Sequence, residues 1–337
     1  MKHAHLPGLV IAALTLRAFA AEPPAPPPAP PCNTSDGYIC GQQAPEDLIG
    51  LGTDWAVASA YAGTGGITLI RLADRTSLTA YPSPSAKEKP DTKTYPGCPG
   101  PPRGAFTTHG VYVPPGRGPA HKLFVVGHGA RESIEVFDVD TRGATPVLTW
   151  IGCVIAPEPI GLNSVRSLPD GGFLTTNFLP RGAPIQTLFD GVVNGELWEW
   201  HTKSGWQKVP GSETSGANGV ELSADGRTIY LAAWGSRSFI RLSRGAKTPR
   251  REEIPLGFQI DNIHWAKDGT LLGAGQVGQD WRVVKIDPRT LKVETIYSQD
   301  DKPGFGGGTV ALEVGDKLWV GSYRGDRIAI VPTSRRD

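Results

Sequence analysis

Two carboxylates and three carboxamides stand out as a set with chemistry: Glu46, Asn163, Asn218, Asp261 and Asn262. All five offer hard oxygen donors. Calcium takes six to eight such oxygens in a flexible shell, whereas zinc wants nitrogen or sulfur and magnesium a tighter, wetter octahedron. Two negative charges balance the dication. Amide oxygens leave it electrophilic, and five protein donors leave room for water and one substrate oxygen. An under-coordinated calcium polarises an ester or lactone carbonyl and stabilises the developing oxyanion. The attacking water then needs a base near neutrality, and His109, tuned and oriented by His128, fits that role. The competing expectation is a calcium ion that merely plugs and stiffens the protein.

These residues are far apart in sequence, so the elements carrying them must converge. Gly216-Ala217-Asn218-Gly219-Val220-Glu221-Leu222 opens with a polar residue beside glycines and runs as an alternating strand to Asp225-Gly226, with Thr228-Ile229-Tyr230-Leu231 returning. That is a β-hairpin pattern. It recurs from Asn163, from Asn262 and from Thr309. A period of roughly 45–55 residues with several short strands per unit marks a β-propeller. Innermost strands of a propeller line one axis, so polar residues at equivalent phase meet there. The expected fold is all-β, a six-bladed propeller with four-stranded blades around a calcium-containing central channel. His109 is expected at the head of an innermost strand, with His128 across the same hairpin. The last blade has three strand-like segments, and a segment near Tyr38–Gln42 is expected to complete it.

The chain has 337 residues, with 43 Gly, 31 Pro and one Met, enough for one large turn-rich domain. The net charge of +1 and the lack of a basic stripe with interleaved aromatics argue against a nucleic-acid partner. Lys2, the apolar run Leu9–Leu16 and Ala18-Phe19-Ala20 read as a signal peptide over 1–20. The apolar run is too short to span a bilayer, so no stable membrane insertion is expected after cleavage. A proline-rich linker over 21–36 follows, then the propeller over 37–337. The protein is expected to be secreted or periplasmic and a monomer. Cys32, Cys40, Cys98 and Cys153 predict two disulfides in an oxidising compartment. Of the three pairings, Cys32–Cys40 with Cys98–Cys153 is favoured. Residues 81–104 form a long loop, either a lid or an insertion, and residues 179–194 a candidate lid over the channel mouth.

The motifs resemble the paraoxonase/arylesterase family of six-bladed calcium-dependent lactonases. Pro45-Glu46-Asp47-Leu48 is similar to its Glu-Asp calcium segment. Thr108-His109-Gly110-Val111 and Phe124-Val125-Val126-Gly127-His128 resemble the segments of its histidine dyad. Leu162-Asn163, Gly216-Ala217-Asn218-Gly219 and Ile260-Asp261-Asn262-Ile263 resemble its other ligand segments. The Ala-Asn-Gly and Asp-Asn motifs are shared with gluconolactonase and strictosidine-synthase-like propellers. The resemblance implies a small-molecule lactone or ester as substrate and a pocket-facing Thr309. It also implies a second calcium on Asp47 and the Val111 carbonyl, which Ser164 weakens because the family has an aspartate there. No cysteine lies near the C-terminus to form the family's ring-closing disulfide. The alternatives are a sugar lactonase using an aspartate rather than His109 as base, and a non-catalytic calcium-stabilised binding module.

Overall fold

The computed structural model describes residues 30–278, 280–300 and 305–333. The predicted signal peptide and residues 21–29 of the predicted linker lie outside them. Six antiparallel blades form a six-bladed β-propeller with almost no helix. The innermost strands are Leu48–Leu51, Phe106–Tyr112, Leu162–Ser167, Ala217–Leu222, Gln259–Trp265 and Gly308–Val314. Each touches the next around the axis, and the last touches the first.

Burial explains why middle strands read as apolar runs. Successive side chains of a strand point to opposite faces, and here both faces are covered by a neighbouring blade. In Thr228–Ala233, Ile229, Leu231 and Ala233 pack toward the blade before, while Tyr230 and Ala232 pack toward the blade after. Six such apolar clusters fill the six interfaces. Truncating a buried aromatic in one, such as Trp150 or Phe239, costs about 3–5 kcal/mol. The outermost strands are far more exposed, as Arg251–Pro255 illustrates.

The expected closing strand exists. Tyr38–Cys40 pairs antiparallel with Arg327–Pro332 and completes the last blade with a strand from the other end of the chain. Cys32–Cys40 anchors its end, and Arg327 donates to the Pro30 carbonyl at 2.8 Å. Residues 30–36, predicted as linker, therefore lie against the domain, with Thr34–Asp36 forming a short 3₁₀ turn. From the closing strand the chain crosses into the first blade. Pro45 accepts from the Ser322 amide on the way, and this crossing carries Glu46 and Asp47 to the axis.

One blade departs from the expected four strands. Lys87–Glu88 pairs parallel to Val147–Ile155 and adds a fifth. The Cys98–Cys153 disulfide and the Asp91 amide bond to Ile151 strap residues 81–104 along this outer edge. That loop is a brace rather than a lid. Among the described residues no helix is long and apolar enough to cross a membrane.

Candidate active site

Five of the six innermost strands, all but that of the first blade, share a feature that the sequence pattern does not announce. Their pairing slips between Thr108 and Val111, Leu162 and Val165, Ala217 and Val220, Ile260 and Ile263, and Gly308 and Val310. A bulge breaks strict alternation and re-aims side chains. His109, Asn163, Asn218, Asp261, Asn262 and Thr309 all sit in these bulges. His109 is thus mid-strand at a bulge rather than at the strand head. The bulges also bring backbones close around the axis. A Cβ on Gly110 would lie 2.4 Å from the Asn163 carbonyl oxygen, and one on Gly219 would lie 2.6 Å from that of Asp261.

Glu46, His109, Asn163, Asn218 and Asp261 line one cavity of about 350 Å³ at the channel mouth. Asn262 lies beside it, donating to Glu46 Oε1 at 2.7 Å. Among the described residues, seven side-chain oxygens are buried without a hydrogen-bond partner. Five of them are Glu46 Oε2, Asn163 Oδ1, Asn218 Oδ1, Asp261 Oδ1 and Asn262 Oδ1, one from each member of the predicted calcium set. The other polar side-chain atoms of Glu46, Asn163, Asp261 and Asn262 are engaged. Asn163 Nδ2 lies 3.3 Å from His109 Nε2, and Gln276 donates to Asp261 Oδ2 at 2.9 Å. Trp234 holds Gln276 in turn, its indole donating to Oε1 at 2.9 Å. Buried polar oxygens are normally satisfied, so this donor set fits a hard cation. Among the described residues no three His, Cys, Asp or Glu side chains group as metal ligands, so the fit depends on the carboxamides.

The electrostatics agree with that fit. Burial, then the neighbouring Asp47 charge, pushes Glu46 up to about 8. Burial and the Glu46 charge push Asp261 well above the usual carboxylate range. Two buried acids that resist ionisation together are those a dication would relieve.

The histidines meet across their hairpin, where His128 pairs with Thr107. His109 Nδ1 lies 3.1 Å from His128 Nε2, and His128 Nδ1 lies 2.8 Å from Glu132 Oε2. Glu132, which the sequence did not mark, also accepts the Leu162 amide at 2.6 Å through Oε1. Tyr61 lies against His109 with the rings tilted by 36° and centroids 4.3 Å apart. Burial drives His109 down to about 4, below the near-neutral value expected of the base, so its ring is neutral at pH 7. With Nε2 accepting from Asn163, the chain of contacts carries one N–H from His109 to His128 and the next from His128 to Glu132.

The predicted lid, residues 179–194, reaches the mouth. It holds the short helix Gln186–Phe189, and Ile185 and Phe189 line the cavity while remaining 56% exposed. Phe178, Trp234 and Tyr323 continue this apolar rim, and among the described residues no Lys or Arg lines the cavity. Thr309 is not in its wall. Its buried hydroxyl donates to the Glu46 carbonyl at 2.6 Å and so fixes the segment that delivers Glu46.

Asp47 lies in a separate buried layer. Its Oδ1 accepts from the Leu48 amide and faces His264 Nε2 at 2.7 Å, while Oδ2 accepts from the Val111 amide at 2.8 Å. Burial opposes ionisation of both Asp47 and His264. Their mutual attraction and hydrogen bond prevail, lowering Asp47 and raising His264.

No protein-family model matches the chain, and no curated protein matches it in sequence. Among solved structures, a luciferin-regenerating enzyme is similar with a TM-score of 0.55 at 16% identity, covering 87% of this chain and 92% of that one. A protein described as a candidate gluconolactonase gives 0.52 at 12% identity, covering 90% and 97%. A candidate oxidoreductase (glucose dehydrogenase) from Thermus thermophilus gives 0.50 at 15%, covering 87% and 98%. Likeness at such identity establishes the propeller fold. It does not single out the paraoxonase family, and the three names denote different activities.

Proposed function

We propose that the protein is a calcium-dependent hydrolase of lactones or aryl esters that works outside the cytoplasm. The observation that carries this reading is a set of five buried oxygens without a hydrogen-bond partner, four from residues that line the cavity with His109 and one from Asn262 beside it. Glu46, Asn163, Asn218, Asp261 and Asn262 would hold the ion. When bound, calcium supplies Lewis-acid polarisation of the substrate carbonyl. His109, neutral at rest, takes the proton of the attacking water. His128 and Glu132 hold the ring and offset the charge it gains. The apolar rim of Phe178, Ile185, Phe189, Trp234 and Tyr323 desolvates the non-reacting part of the substrate. Two disulfides fit an oxidising compartment.

A sugar lactonase with an aspartate as base is the second reading. Asp261 favours it, because its carboxyl lines the same cavity and is held well above the usual range. The apolar rim favours the first, since a polyhydroxylated ring would leave its hydroxyls against aromatic faces.

Hydrolysis of aliphatic lactones, phenyl acetate and a sugar lactone, with calcium and with chelator, tests the reading. Wild type is run beside His109→Gln and Asn218→Ala. Calcium-dependent activity that falls in both variants is expected. Loss confined to Asn218→Ala would move the base away from His109. Calcium-stabilised protein inert on the whole panel would favour a binding module.

A further inference from the structure

Beneath the cavity the axis is filled by four buried charged or titratable side chains from four blades. Asp47 precedes the inner strand of the first blade, and Arg166, Glu221 and His264 come from those of the third, fourth and fifth. Arg166 Nε pairs with Glu221 Oε1 at 3.0 Å, and an Arg166 Nη donor lies 3.0 Å from His264 Nδ1. The opposite ring nitrogen of His264 faces Asp47 Oδ1 at 2.7 Å. Arg166 also donates to the Val165 and Ile263 carbonyls and lies over the Tyr112 ring. Glu221 lines a groove on the far side, with Tyr112 and Trp265.

Two layers along one axis therefore differ in kind. In the upper layer every member keeps an oxygen without a hydrogen-bond partner, although Glu46 Oε2 lies 3.4 Å from His109 Nε2. In the lower layer no oxygen of Asp47 or Glu221 is left without a partner, and a guanidinium brings a permanent positive charge. Ser164, where a second carboxylate would be needed, offers only a buried neutral hydroxyl without a hydrogen-bond partner. A dication on Asp47 would have to displace the His264 contact and sit near Arg166, with no second carboxylate from position 164.

We infer that Arg166 and His264 take the place of a second axial cation, so that the chain binds one calcium ion rather than two. The inference rests on the calcium reading of the upper layer. The side chains supply the cross-blade tie that an ion would otherwise make. A buried ion network of this kind is strongly destabilised when one partner is removed.

The test is calcium titration of the chelator-stripped full-length protein by calorimetry, with elemental analysis of the saturated form. One calcium per chain is expected. Two would overturn this inference and leave the proposed function standing, whereas none would overturn the calcium reading itself. The double variant Ser164→Asp, Arg166→Met is expected to bind two, with a larger calcium-induced rise in Tm than wild type. If it folds and still binds one, Arg166 is not what excludes the ion and the inference fails. If it does not fold, the wild-type stoichiometry still decides.

Discussion

Glu132 ties His128 to the neighbouring blade. One carboxylate oxygen lies 2.8 Å from His128 Nδ1, and the other accepts the Leu162 amide at 2.6 Å. Leu162 directly precedes Asn163, so one buried carboxylate sets both the outer histidine and the strand that carries a proposed calcium donor. Glu132→Gln should keep the volume and remove the charge that stabilises a protonated histidine pair. The expected result is a lower kcat with KM and calcium stoichiometry unchanged. The loss should be smaller than the roughly 10²- to 10⁴-fold of removing a general base outright. The pH–rate profile separates this role from a structural one, because its acidic limb should move in the variant. An unchanged profile would leave Glu132 as scaffold only.

Calcium-free protein should lose stability as pH rises from about 6.5 to about 8. Glu46 is pushed up to about 8, so the folded chain keeps a proton that the unfolded chain has released. That contribution is fully present below the unfolded value near 4.5 and is lost through the folded one. His264, also raised, acts in the same direction. His109, driven down to about 4, acts oppositely but only below its unfolded value of 6.5, which is why the window starts there. Melting temperatures in chelator should fall across this window, and saturating calcium should flatten the slope. A calcium-free Tm that climbs instead would contradict the assignment of buried acids to the ion.

Gly219→Ala tests the close approach at the bulges. The new Cβ would lie 2.6 Å from the Asp261 carbonyl oxygen and 2.7 Å from Asn262 Cα. Overpacking of this kind costs about 1–3 kcal/mol, and here it presses on two proposed calcium donors. Lower stability and weaker calcium binding should appear together. Gly50→Ala, on the inner strand of the first blade with nothing within 4 Å of its Cβ, is the control and should be near neutral.

Phe189 reports on the rim. It is 56% exposed and packs edge-on against Trp234 at 5.5 Å. Phe189→Ala should raise KM for phenyl acetate about 10-fold, in line with part of the 1.5–3 kcal/mol that full burial of such a side chain is worth. Little change in kcat is expected, and KM for a sugar lactone should hardly move. Equal effects on both substrates would argue that the rim does not select.

Much of the fold was legible because propeller blades are local. Each hairpin is written in one stretch of chain, as from Ala217 to Leu231, and polar residues at the same phase recur at blade spacing. The pairings Cys32–Cys40 and Cys98–Cys153 were favoured among three and are present. The fifth strand at Lys87–Glu88 was not legible, because two exposed residues carry no period. Glu132, Tyr61, Gln276 and Trp234 were also missed. Each is unremarkable in its own segment and comes to the site only when other strands and blades fold against it.

The amino-acid sequence by itself determined the blade repeat and which residues share the inner-strand phase, because strand and turn preferences act over a few residues. The tertiary structure alone decided which oxygens remain without partners, where the bulges fall, and that Arg166 and His264 lie against Asp47 and Glu221. Those outcomes depend on contacts between residues far apart in sequence, 217 positions for Asp47 and His264. They exist only once closure of the ring brings the six inner strands onto one axis.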